Sequence, residues 1–246
     1  MTILTYHAVD PLWTGALSVH PAAFEEQIAW LVSHRRLVPL AELLDHAPDG
    51  ASNNLVALTF DDGFSSVVQH AMPILARFDV PFTVFLIAKM YDGSASSVDW
   101  VDRPPGHPLR TLDAPEVRRL HANGATFGSH SYLHADMTTL GYDRALADLV
   151  RSRDTLGELL GEDVTWLAYP RGRHDDQVRE AAAAAGFTSA FGLSVARAMR
   201  GAHALPRVGV YPTDTGRSLR LKTEPIYGRL RASPRYHSVR RRIQRY

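Results

Sequence analysis

Short apolar runs alternate with helical patterns along most of the chain. Ile3–Tyr6 reads as a first strand. Residues 21–33 follow as a helix, with Phe24, Ile28, Leu31 and Val32 on one face. The spacing predicts a short strand over 37–40, a third strand over Leu55–Phe60 and a helix over 65–78. The β-rich run at 81–88 predicts a buried strand. Residues 91–110 are rich in Gly, Ser, Pro and Asp and read as a long loop, a feature that in a compact domain is usually functional or mobile. Asp113, Pro115 and Glu116 spell a helix start, and Asn123-Gly124 its end. A strand over 125–128, an amphipathic helix over 143–160 and a strand over 164–168 come next. An alanine-rich helix over 176–185 and strands over 187–191 and 205–210 complete the pattern.

These seven or eight β/α alternations predict parallel strands joined by right-handed crossovers. About 220 residues suit a closed (β/α) barrel, complete or not, better than an open doubly wound sheet. No glycine-rich GxGxxG follows a strand and no GxxxxGK[ST] is present, so nucleotide folds lose their main support.

Composition narrows this further. The 246 residues are 45% hydrophobic and 22% charged, which excludes disordered and collagenous classes. With no cysteine, disulfides, thiolate metal sites and thiol nucleophiles are excluded. Met1–His7 has neither a basic nor an apolar leader region, so a cytoplasmic location is expected. The net charge of +1 hides an uneven distribution. Residues 229–246 hold seven arginines and no acid, which leaves 20 basic against 26 acidic residues in 1–228, a net of −6.

Three polar clusters fall at the C-terminal ends of predicted strands, where barrel active sites are built. Asp61-Asp62-Gly63 puts two carboxylates side by side, and a cation beside them would relieve their repulsion. Taken alone, the same triplet is a turn and a helix cap. His130 and His134 are spaced i, i+4, which on a helical turn lets both imidazoles reach one metal. Alone, they are two solvated histidines. Tyr169-Pro170-Arg171-Gly172 makes a tight turn that can aim backbone N–H groups into a site, or is simply a loop. Together, one Asp and two His suit Zn²⁺, and also Fe²⁺, Co²⁺ or Ni²⁺. The remaining Asp is then available as a base, the inventory of metal-assisted hydrolysis.

In this order and at these strand ends, TFDDG, HSxxH and YPxG resemble the polysaccharide deacetylase family with its NodB-type domain (carbohydrate esterase family 4). The opening LTYHAV and residues 24–44 resemble its exopolysaccharide-synthesis branch. The resemblance covers residues 2 to about 212. It implies a distorted (β/α) barrel of about seven parallel strands and metal-dependent hydrolysis of N-acetyl groups on amino sugars. By position, Asp62, His130 and His134 match the metal ligands, Asp61 the catalytic base, and the Arg171 N–H the oxyanion donor.

Two family features are missing. No arginine precedes Pro170 to hold the base, and Arg207 is the candidate substitute. No Leu-x-x-His motif supplies the general acid, which leaves His203 and His7 as candidates. Trp100, Tyr132 and Tyr169, with Pro170 and Gly172, are candidates for substrate contact. Arg171 and Arg173 offer guanidinium groups to an anionic substituent.

The expected organisation is a catalytic domain over 1–225 and an arginine-rich tail over 226–246. The tail reads either as a solvated segment or as an attachment to the anionic cytoplasmic leaflet. Nucleic acid is not an expected partner, since the rest of the chain is acidic and carries no binding motif. The leading reading is an amino-sugar N-deacetylase. An amidase of the same fold and a catalytically dead glycan-binding domain are the alternatives. Substrate size and oligomeric state are left open.

Overall fold

The computed structural model describes residues 1–45, 54–94, 97–101, 104–193, 201–224 and 227. Apart from Tyr227, the arginine-rich tail over 226–246, and with it the proposed boundary at 226, lies outside the described residues. The strands are β1 (Thr2–Tyr6), β2 (Ala8–Val9), β3 (Ser18–Val19), β4 (Arg36–Leu37), β5 (Leu55–Phe60), β6 (Phe82–Leu86), β7 (Thr126–Ser129), β8 (Trp166–Ala168), β9 (Ser189–Leu193) and β10 (Leu205–Gly209). The helices are α1 (Pro21–His34), α2 (Leu40–Asp45), α3 (Met72–Arg77), α4 (Ala114–Ala122), α5 (Tyr142–Leu160), α6 (Asp176–Ala184) and α7 (Gly216–Lys222).

Seven strands close a parallel barrel in the order β1-β10-β9-β8-β7-β6-β5, and β5 returns to β1 through Thr2↔Val56 to Tyr6↔Phe60. β4 adds to β5 below β6, and β2 pairs with β3 as a separate parallel ribbon. This is the expected NodB-type barrel.

The strand period of two sorts side chains into two layers. Leu4, Tyr6, Val56, Leu58 and Phe60 pack outward with Phe24, Ile28 and Leu31 of α1. Ile3, Ala57, Phe85 and Phe191 belong to a separate inner cluster. The inward series on β5 runs Ala57, Thr59 and then Asp61, so alternation itself delivers that carboxylate to the barrel mouth. A third cluster of Trp13, Phe64, Trp100, Val98 and Leu109 ties the long loop against the segment that follows Asp62.

Helix boundaries follow their caps. Asp113 and Glu116 form the expected capping box on α4. The Asp175 carboxylate accepts from the Val178 N–H at 2.9 Å to start α6.

Two predicted elements differ. Residues 65–78 are not one helix: a π turn at Val67–Ala71 precedes α3. Pro73 has no N–H for a regular i→i−4 bond, and the wider turn sits just before it. The predicted strand at 37–40 pairs only through Arg36–Leu37, because Pro39 cannot donate to a ladder and leads into α2 instead. Among the described residues, no helix is long and apolar enough to cross a membrane.

Candidate active site

Asp61 and Asp62 are adjacent in sequence but have opposite surroundings. The backbone turns left-handed at Asp62 (φ 69°) and Gly63 (φ 67°). Asp tolerates this conformation better than most residues, and the turn sends the two carboxylates to different partners. Asp61 points into the barrel. Arg207 on β10 donates to it from both terminal nitrogens, at 2.7 and 2.8 Å. The same guanidinium reaches Thr5 and Thr59 hydroxyls at 3.3 and 3.2 Å and lies 5.2 Å from the Phe85 ring centre. Arg207 is fully buried. Burial alone would raise the Asp61 pKa, but Arg207, with His130 and His7, more than offsets it. The carboxyl is held well below the usual range.

Asp62 has no such compensation. Its Oδ1 is buried and has no hydrogen-bond partner among the described residues. It lies 3.6 Å from Nε2 of His130 and 3.5 Å from Nε2 of His134. Burial, then the neighbouring Asp61 charge, push its pKa up to about 8, while Trp100, Arg207 and Arg171 nearby oppose that rise. Burial also lowers the two histidines, His134 to about 2 with help from His130 and Arg171. Ligand atoms of the three residues lie within 4.8 Å of one another. A divalent cation fits this donor set, one carboxylate oxygen and two imidazole nitrogens. His130 Nδ1 is 2.8 Å from the Ala168 carbonyl, which fixes the ring and leaves Nε2 facing Asp62.

The histidines converge for a different reason than helical spacing. Residues 130–134 form an irregular loop after β7, with Ser131 (φ 66°) and His134 (φ 56°) left-handed. The expected helical turn is absent.

Arg171 is also left-handed (φ 57°), in the short turn after β8. Its N–H donates to no acceptor among the described residues. Pro170 and Gly172 are buried and frame this turn. A Cβ at Gly172 would come within 2.4 Å of Leu193, so only glycine fits there. The exposed Arg173 is paired with Asp136 at 2.6 Å.

The two acid candidates separate clearly. His7 follows β1 at the mouth and interacts electrostatically with Asp61, His130 and Arg207. Burial lowers its pKa to about 4, against the upward pull of Asp61. His203 precedes β10, at the opposite end of that strand, and its Nε2 lies 2.7 Å from the Phe187 carbonyl. It is not part of this site.

The aromatic candidates also divide. Trp100 lies against Phe64 and 5.8 Å from the His134 ring, so it borders the metal-ligand group. Tyr132 and Tyr169 do not offer an open face. Tyr132 is buried under the Arg151 guanidinium, and its hydroxyl donates to Asp92. Tyr169 is fully buried, with its ring beside His174 and its hydroxyl donating to the His203 carbonyl at 3.0 Å. Both rings gain more from burial than they would from lining a wet groove.

Sequence periodicity passes over Asp148 and Ser152. Both lie on the buried stripe of α5 with Ala145, Leu149, Leu156 and Leu159. Two polar residues interrupting an apolar stripe are the signal that marks them.

The family model for polysaccharide deacetylases matches residues 49–190, a span that holds Asp61, Asp62, both histidines and the turn at Arg171. The chain belongs to the polysaccharide deacetylase family. The chain is 26% identical over 187 residues to the poly-beta-1,6-N-acetyl-D-glucosamine N-deacetylase of Staphylococcus aureus (strain MSSA476). That match covers 72% of the chain and 61% of the relative. IcaB from Ammonifex degensii superposes with a TM-score of 0.71 at 26% identity, covering 90% of this chain and 96% of that one. The Streptococcus pyogenes deacetylase PplD, solved with acetate, superposes with a TM-score of 0.77 at 23% identity, over 92% and 98% of the two chains, and shares the fold.

Proposed function

We propose that this polysaccharide deacetylase is a divalent-metal-dependent hydrolase that removes N-acetyl groups from N-acetylglucosamine-type units of an oligosaccharide, polysaccharide or glycan precursor. The observation that carries the reading is the pair of adjacent carboxylates. One is already neutralised by Arg207, while the other has a buried, unpartnered oxygen between two imidazoles. The name of the Staphylococcus aureus relative supports the choice of substrate class.

Asp62, His130 and His134 would hold the metal, with Zn²⁺ the first choice. When bound, it supplies Lewis acidity to the attacking water and the acetamide carbonyl. Asp61 accepts the water proton, held in place by the Arg207 fork. The oxygen adds to the carbonyl carbon, and the negative charge that develops on the former carbonyl oxygen meets the Arg171 N–H. That N–H has no competing acceptor among the described residues, and because it is main-chain its role does not depend on the arginine side chain. His7 would pass a proton to the sugar nitrogen as the C–N bond breaks, releasing acetate and the free amine; with its pKa lowered to about 4 it must first take that proton up, and the proton that Asp61 accepts from the water is held next to it. Its place beside Asp61 selects it over His203 as the acid. Trp100 offers its ring to the sugar.

The location in this reading is the inner face of the cytoplasmic membrane. The support is the charge division between an acidic barrel segment and the arginines of 229–246, each worth about 1 kcal/mol near an anionic surface. The deciding experiment is acetate release from N-acetylglucosamine oligomers, before and after chelation and after Zn²⁺ is restored. Release that survives complete chelation counts against the proposal.

A further inference from the structure

The loop that carries His130 and His134 has an unfavourable backbone. Ser131 and His134 are both left-handed without being glycine, and such residues persist only where the surroundings over-determine them. The stripe of α5 facing this loop supplies the restraint. The buried Asp148 carboxylate accepts from the Tyr132 N–H at 2.8 Å and the Leu133 N–H at 3.0 Å, one from each of its oxygens. One turn further on, the Ser152 hydroxyl is 2.6 Å from that of Ser129. Ser129 in turn accepts from the Ser131 N–H at 3.1 Å, and the Ser131 hydroxyl accepts from the His134 N–H at 3.0 Å. Every residue from 131 to 134 thus has its N–H committed, and two of the four bonds end on one carboxylate. Burial pushes the Asp148 pKa up, and these two N–H bonds, with Arg151, pull it back toward the ionised form. The carboxylate also answers the geometric demand, since two successive N–H groups need two acceptor atoms from one side chain.

We infer that Asp148, backed by Ser152, is a positioning residue that pre-forms the metal-ligand loop, setting the separation of the His130 and His134 imidazoles before any cation arrives. Asp148 touches neither substrate nor metal; it acts through the Tyr132 and Leu133 amides. The inference rests on the reading of Asp62, His130 and His134 as metal ligands.

Zn²⁺ affinity, measured by competition with a chromophoric chelator, tests it in the full-length chain. Asp148→Asn keeps one acceptor oxygen but turns an NH₂ toward the second amide. The expected result is about 10–100-fold weaker Zn²⁺ binding, the scale seen when outer-shell partners of metal ligands are lost. Leu156→Ala, two turns beyond Asp148 on the same buried stripe, is the control for general destabilisation. It should lower the melting temperature without changing Zn²⁺ affinity. Unchanged affinity in Asp148→Asn overturns the inference, as does an equal loss in Leu156→Ala. If wild type itself binds no Zn²⁺, the metal reading fails instead. Should Asp148→Asn not fold, amide hydrogen exchange of the metal-free wild type decides the point. The Tyr132 and Leu133 amides should exchange slowly, and exchange as fast as that of an unprotected amide overturns the inference.

Discussion

Two pockets meet at the barrel mouth, one borne on strands and the other on loops. The strand-borne pocket holds Asp61. Its partners Thr5, Thr59, Phe85 and Arg207 all sit on hydrogen-bonded strands and face inward by simple alternation. Its charge is balanced within the protein. The loop-borne pocket holds Asp62, His130 and His134, and two of these three have left-handed backbones. Its charge is not balanced. The contrast shows how a chain can place two adjacent carboxylates yet give them different tasks. Rigid, regular structure with an internal cation makes a carboxylate that stays ionised. Irregular structure, with an oxygen unpartnered among the described residues, makes one whose surroundings suit a divalent cation.

The largest expected effect comes from removing the internal cation. Arg207→Met leaves the Asp61 carboxylate buried and alone, and breaking such a pair costs about 3–5 kcal/mol. Denaturant unfolding should show this loss, together with collapse of acetate release. A fully stable Arg207→Met protein would mean that the two pockets do not differ in compensation as described.

A second test separates the two ends of the barrel. His7→Ala should lower kcat by about 10²–10⁴-fold, the range for loss of a general acid or base. His203→Ala should leave kcat within about twofold, since surface changes away from the site have small effects. Equal effects of the two substitutions would return the acid to an open question.

The pH dependence of stability sharpens the contrast. In the metal-free protein, burial lowers the His7 pKa to about 4. The unfolded chain binds this proton near pH 6.5 and the folded chain does not. His7 therefore costs stability as pH falls from about 6.5 to about 4. Asp61 behaves oppositely. Its depressed folded pKa contributes stability across that whole window, and this is lost only at lower pH, as the folded carboxyl protonates. Thermal melts of wild type and His7→Ala should diverge between pH 6.5 and 4, with the variant losing less. Parallel curves would contradict the lowered pKa of His7.

The smallest effect concerns backbone. Arg171→Gly relieves a left-handed non-glycine residue, a gain on the order of 1 kcal/mol, set against greater freedom of the unfolded chain. Melting temperature should change by a few degrees at most, while acetate release persists because the donor is main-chain. Loss of all turnover in this variant would show that the side chain is required.

How much of this was legible in the sequence follows the same division. Leu55–Phe60 is read to its observed ends because six buried residues stop at a pair of carboxylates. Arg207 is likewise accessible, as an arginine in an apolar strand. The loop-borne pocket is legible as residues but not as geometry. The HxxxH spacing suggests a helical turn, whereas tertiary bonds from Asp148 and Ser152 impose an irregular one. β2 and β3 escape notice because two-residue strands carry no periodicity. α7 escapes because, of its seven residues, only Leu219 and Lys222 are buried. Tyr132 and Tyr169 sit beside the motifs in sequence but turn into the core, since neighbours along a chain need not share a face.

The central claim is that Asp62 binds the cation and Asp61 does not. Isothermal titration of Zn²⁺ into Asp61→Asn and Asp62→Asn, with acetate release measured on the same samples, tests it most directly. The account predicts that Asp61→Asn binds one Zn²⁺ equivalent yet releases no acetate, while Asp62→Asn loses high-affinity binding. Loss of the metal from Asp61→Asn, or its retention in Asp62→Asn, would contradict the division between the two pockets.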